Sequence, residues 1–129
     1  MLAPSLPENE SSRLSELHGL CLLDTDPEHR FDQLTQLASL LFEVPMALIS
    51  LVDADRQWFK SRQGLEASET PRRISFCGHA ILADDLLVVE DASQDVRFAD
   101  NTLVTDSPRI RFYAGYPLSG PNGFKVGTL

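Results

Sequence analysis

Apolar positions along the 129 residues recur first with a helical period and then with a strand period. Leu14, Leu17 and Cys21 fall at helical spacing, and Pro7 suits a first turn, where its missing N–H is not needed. This predicts a helix over about residues 7–19, with Gly19 near its end. Thr25-Asp26-Pro27-Glu28 is a helix-start pattern in which Thr25 caps and Glu28 closes a capping box. Phe31, Leu34, Ala38 and Leu41 then share one face, so a second helix is expected to end near Glu43, ahead of Pro45. Residues 1–6 read as a flexible tail.

After Pro45 the pattern changes. Met46 to Val52 is a nearly continuous apolar run, too short for a typical helix, which predicts a strand buried on both faces. Asp53-Ala54-Asp55 is a turn, and residues 56–63 alternate, with Trp58, Lys60 and Arg62 on one face and Phe59 and Ser61 on the other. The two strands form a hairpin. Residues 64–74 read as a loop crossing the sheet. Ser75 caps a short helix running to about Ala83. Residues 86–90 form a short strand, 91–107 are irregular, and 109–119 make the longest strand. Gly120-Pro121-Asn122-Gly123 is a turn into a last strand at 124–129. Antiparallel hairpins with helices grouped before them mark an α+β fold built on one antiparallel sheet.

The length fits one domain with its own core. A net charge of −8 repels phosphate backbones and anionic lipid surfaces, so no nucleic-acid partner and no membrane insertion are expected. Cys21 and Cys77 are far apart in sequence and fit no metal or redox spacing, which points to a reducing, cytoplasmic compartment. Seven scattered glycines form no phosphate-binding loop. The acids Asp84, Asp85, Asp91, Asp95, Asp100 and Asp106 sit at expected turns and caps, where Asx geometry explains them without a cation. Arg72 and Arg97 are expected to pair with these carboxylates.

Several segments together carry a family resemblance: Leu23-Asp24-Thr25, Phe31-Asp32, Val44-Pro45, Arg56-Gln57-Trp58-Phe59-Lys60, Phe76-Cys77-Gly78-His79-Ala80-Ile81, Asp95-Val96-Arg97-Phe98 and Phe112-Tyr113-Ala114-Gly115. In this order they resemble the GAF domains near the N-termini of bacterial diguanylate cyclases and sensor histidine kinases, over about Ser12 to Leu129. The resemblance implies a central antiparallel sheet with helices on one face and a pocket under short helices and loops on the other. It implies a sensory module that regulates an attached catalytic one, with no turnover and no cofactor of its own. The family pattern continues beyond Leu129 into a C-terminal helix, so residues 7–129 read as a GAF domain truncated at that end. Apolar faces carrying Leu14, Leu17, Leu34 and Leu41 would then lack cover, and a homodimer through the helical face is the expected remedy.

On the pocket side the resemblance places Trp58, Ser75, Cys77, His79, Tyr113 and Tyr116 as ligand-binding candidates. The plainer reading of Cys77 and His79 is a small buried thiol and a hydrogen-bonded imidazole, since residues two apart on a helix point in nearly opposite directions. Bilin-binding relatives place His directly after Cys, whereas Gly78 intervenes here. GAF-type methionine sulfoxide reductases use several cysteines. Three functions stay open: a sensor of a small molecule that the sequence does not name, a ligand-free dimerisation scaffold, and a thiol-based redox module using Cys77.

Overall fold

The apolar run becomes the middle of the sheet. The structure is a computed structural model describing residues 1–129, and it places β1 (Ala47–Val52) at the centre of five antiparallel strands. Their order is β3 (Glu69–Pro71), β2 (Arg56–Gln63), β1, β7 (Lys125–Thr128) and β6 (Pro117–Ser119). Helices α1 (Glu10–Gly19) and α2 (His29–Phe42) pack on one face. The other face carries α3 (Phe76–Ala80), α4 (Thr102–Thr105) and a two-stranded ribbon of β4 (Leu87–Val89) and β5 (Tyr113–Gly115). This is the expected α+β architecture, with the β1–β2 hairpin and an internal last strand in place.

Two cores separate by face. On the α1 side Leu17, Leu51, Trp58 and Val126 pack together. On the other, Phe76, Val89, Ala92, Phe98 and Val104 form a second cluster, and Val52, Cys77 and Ile81 a third. Leu51 and Val52 are consecutive in a strand, so strand alternation alone sends them to opposite sides.

Four expectations are corrected. First, α1 begins at Glu10, not Pro7, and α2 begins at His29 with no capping box. Thr25 Oγ1 donates instead to the Leu22 carbonyl, and Glu28 pairs with Lys60 and Arg30. Second, α2 is rolled relative to its expected apolar face. It turns Asp32 and Thr35 toward β2, where Ser61 Oγ donates to Asp32 Oδ1 at 2.6 Å and lies 2.8 Å from Thr35 Oγ1. A register shift between Ile49 and Ser50 brings Ser61, beside Lys60, to the α2 side. The Lys60 side chain is fully buried there and bonds Thr25 Oγ1, the Asp26 carbonyl and Glu28. A buried ammonium needs such partners, and this fixes the helix's roll. Leu34, Leu37, Leu40, Leu41 and Phe42 consequently face solvent, at 48% to 78% exposure. Leu17, by contrast, is fully covered.

Third, the loop at 64–74 contains β3, which pairs with β2 at the sheet edge. Fourth, the single strand expected at 109–119 is two short ones. β5 pairs with β4 and β6 pairs with β7, with Tyr116 between them bonded through its backbone to Leu129. One strand cannot follow both partners, so it splits at the residue where it changes sheet. The segment at 1–6, expected as a free tail, also makes defined contacts. The Leu2 N–H donates to the Arg97 carbonyl at 3.0 Å, and the Leu2 carbonyl accepts from His79 Nε2 at 2.9 Å.

Helix α1 is held by charge as well as by Leu17. Arg13 is fully buried and donates to Glu10 and to the Lys125 carbonyl. Arg72 reaches the same Glu10 carboxylate and the carbonyl of Asp53. Glu16 accepts from the backbone N–H groups of Asn122 and Phe124, fixing the β6–β7 turn to the helix.

Candidate ligand site

The residues that could hold a ligand meet between the sheet and α3. Ser75 starts α3 as its N-cap: its Oγ accepts from Gly78 N–H at 3.0 Å and donates to the Arg72 carbonyl. The cap sets the helix phase, which turns Cys77 and Ile81 inward onto Val52. Cys77 Sγ accepts from Thr128 Oγ1 at 3.0 Å and lies 3.3 Å from the Tyr113 hydroxyl. Tyr113 reaches the thiol by folding over Gly115; a Cβ at position 115 would collide with the phenol. Burial, then the neighbouring Cys77, push the Tyr113 phenol well above its usual range, so it stays a neutral hydroxyl.

Two buried polar atoms on this face of the sheet have no partner in the protein. Ser50 Oγ and Gln57 Oε1 are buried and unbonded, at residues only 1% and 5% exposed. Ser50 pairs across the β1–β7 ladder with Thr128, the residue that donates to Cys77. An orphan buried hydroxyl costs about 1–3 kcal/mol unless something meets it. The site thus offers hydroxyl, thiol and amide groups and no charge, a chemistry suited to a small neutral polar molecule.

The six expected residues do not share one wall. Cys77 and Tyr113 come together, and Ser75 supports them from the helix start. Trp58 lies on the opposite face with Leu17 and Leu51, because it stands directly across from Leu51 in the hairpin. His79 sits on the outer flank of α3, edge-on to Phe98 at 5.0 Å. Tyr116 is exposed at the β5–β6 junction. Ser50, Gln57 and Thr128 were missed, although a serine inside the apolar run at 47–52 is a readable anomaly. A groove of about 540 Å³ lies elsewhere, between α1 and the β6–β7 turn, lined by Ser11, Ser15, Glu16 and Asn122 among others. Its one buried acid already holds the turn, which leaves it no evident recognition chemistry.

Arg97 forks onto Asp95, one of the aspartates expected for it, whereas Arg72 meets Glu10, a glutamate outside that set. Arg56 bridges Asp24, Asp53 and Glu69. Cys21 is exposed beyond α1, while Cys77 is buried in α3.

This sheet, with two helices behind it and a capped short helix in front, agrees with a match of residues 26–129 to the GAF domain family. The chain belongs to the GAF family. It is 44% identical, over its whole length, to a cyclic di-GMP phosphodiesterase of Pseudomonas aeruginosa. It spans 22% of that relative's length. Among solved structures, the GAF domain of an Acinetobacter phosphoenolpyruvate-protein phosphotransferase superposes with a TM-score of 0.58. The match has 16% identity and covers 91% of this chain and 73% of that one. A free methionine-R-sulfoxide reductase from Neisseria meningitidis, solved with its substrate, gives a TM-score of 0.60 at 19% identity. That match covers 99% of this chain and 77% of the reductase. At such identities the two structures speak to the fold alone. In this GAF domain no helix is long and apolar enough to cross a membrane.

Proposed function

We propose that this GAF domain is a cytoplasmic sensor of a small polar molecule and that it regulates an attached module acting on cyclic di-GMP. The observation that carries the sensing half is the orphan Ser50 Oγ, across the β1–β7 ladder from Thr128 and the Thr128–Cys77–Tyr113 chain. Polar groups left unmet in an otherwise packed interior are where a ligand gains most. The regulatory half rests on the phosphodiesterase relative, whose name points to breakdown of the messenger rather than the cyclic-di-GMP synthesis or histidine kinase expected from the sequence. Ligand binding would bias the domain between two arrangements, with catalysis residing in the attached module. Cys77 is too buried to favour the redox reading.

Native mass spectrometry of the chain purified from a cell extract tests this. A small-molecule adduct, lost on Ser50→Val, is the expected outcome. An adduct-free protein that no cell extract stabilises against heat points instead to the scaffold reading.

A second reading is supported by its own observation, the solvent-facing Leu34, Leu37, Leu40, Leu41 and Phe42 of α2. Contiguous apolar faces of this kind are rare on monomers. We propose that two copies pair through α2 as an isologous dimer, which would let a sensing event in one subunit reach the other. Leu37→Glu is expected to convert a dimer to a monomer by light scattering, with the thermal midpoint of the monomer little changed. A monomeric unmodified chain overturns the pairing.

A further inference from the structure

Helix α3 is a poor candidate to stay in place unaided. It has five residues, fewer than two turns, and helices so short are not stable by themselves. Its inner side faces the sheet through Cys77, Ala80 and Ile81. Its outer side, Gly78 and His79, is crossed by the N-terminal segment. Pro4 presses on Gly78 so closely that a Cβ there would sit 2.6 Å from Pro4 Cγ. His79 Nε2–H donates to the Leu2 carbonyl, and Leu2 N–H donates to Arg97 in the neighbouring turn. The helix therefore lies sandwiched between the sheet and residues 2–4.

We propose that Leu2–Pro4 is a displaceable strap that latches α3 onto the sheet, and that its release lets α3 lift and opens the Ser50–Cys77–Thr128 site to a small polar ligand. The inference adds a gate to the sensing reading and rests on it. The strap is built for release. Leu2 is 58% exposed and Ala3 is exposed as well, so almost no apolar burial holds them. One backbone hydrogen bond, one bond from the His79 ring, one proline contact and the adjoining Met1 amino group's pairing with exposed Asp100 remain, the signature of a segment at the low-stability end of a fold. Among the residues α3 would uncover is Ser50, whose buried hydroxyl has no partner.

His79 ties the latch to pH. Burial lowers its pKa from the ordinary 6.5; the Leu2 carbonyl opposes that, Arg97 reinforces it and Asp95 opposes it. The Phe98 ring faces it without charge, and the strap's terminal amino group is turned to Asp100. The latched state thus prefers neutral His79. Latching is complete above the ordinary value and weakens as the pH falls below 6.5.

Hydrogen exchange on the ligand-free chain decides the matter. The reporters are the Ile81 and Leu82 amides, which donate to the Cys77 and His79 carbonyls. Deleting Leu2–Pro4 is expected to speed their exchange about tenfold and leave Leu51 and Trp58 in the central hairpin unchanged. Alkylation of Cys77 by iodoacetamide, followed peptide by peptide with exposed Cys21 as the internal reference, should rise by a similar factor. Unchanged α3 amides and unchanged Cys77 reactivity overturn the strap, as does equal acceleration in the hairpin, which signals global loosening. Leu2→Pro, which removes the donor to Arg97 together with the leucine side chain, should shift exchange the same way. In the unmodified chain the Leu2 and Ala3 amide resonances should titrate with the His79 midpoint; amides blind to His79 also overturn the latch. None of these readouts needs a ligand, so failure of the sensing reading, seen as an adduct-free protein, remains distinct from failure of the strap.

Discussion

Arg72→Met is expected to cost the domain about 3 kcal/mol, read as a lower urea midpoint at unchanged slope. The guanidinium is almost wholly buried and ties three elements together. It pairs with Glu10 of α1 and caps the Asp53 carbonyl at the end of the β1–β2 hairpin, while its own carbonyl anchors Ser75. Methionine matches the volume but leaves the Asp53 carbonyl unmet and strips Glu10 of one of its two cations. A pH dependence identifies the cause. Burial alone would raise the Glu10 carboxyl, but hydrogen bonds from Arg72 and Arg13 outweigh it and hold its pKa at about 2, against 4.5 when free. Its folded pKa is depressed, so the stabilisation is complete above 4.5 and is lost as the pH falls toward about 2. The gap between wild type and variant should narrow over that interval. A gap of constant size across it would assign the loss to packing rather than to the ion pair.

Phe98→Ala is expected to cost about 3–5 kcal/mol, the usual range for emptying a fully buried aromatic site. Phe98 is 1% exposed and stacks on Phe76 with ring centres 4.1 Å apart and planes 5° from parallel. His79 meets it edge-on, and the Arg97 guanidinium lies 5.1 Å from its ring centre. The second core has only five fully buried members, and none comes from α1 or α2. Losing its central ring should loosen residues 76–106 before the β1–β2 hairpin. Calorimetry gives the size of the loss, and exchange protection along α3 and α4 gives its location. A loss under about 1 kcal/mol would mean that this face is not part of the cooperative unit.

The sensing proposal and the strap both depend on that second face, where stability is thinnest. The sheet and the α1 side hold Trp58, Leu17 and a buried ion network. The α3 side holds short elements joined by turns, a neutral polar chain and two orphan atoms. A regulatory domain needs one rigid surface to transmit a change and one loose surface to receive it, and the two cores divide along that line.

Local chemistry made much of this readable in the sequence alone. An apolar run at 47–52 broken only by Ser50 can be satisfied only by a strand with a core on both sides, and Asp53-Ala54-Asp55 allows only a tight return into 56–63. Ser75 before Phe76 dictates a helix start, since its hydroxyl is the nearest acceptor for the Gly78 N–H. The motifs around Cys77 and Tyr113 named the right family, and these two residues do meet under α3. Contacts between distant segments decided the rest. The apolar face of α2 read from spacing was Phe31, Leu34, Ala38 and Leu41, yet Lys60 and Ser61 required polar partners and turned Asp32 and Thr35 inward. Trp58 was read as a pocket residue, but which side of a strand faces which core depends on its neighbours, and Leu51 across the hairpin holds it on the helix side. Residues 109–119 have one continuous strand character, and only the competing demands of β4 and β7 break them at Tyr116. Leu2–Pro4 carries no periodicity at all: its place on α3 follows from a glycine and a histidine seventy-odd positions away, and a long-range fit of that kind leaves no trace in local pattern.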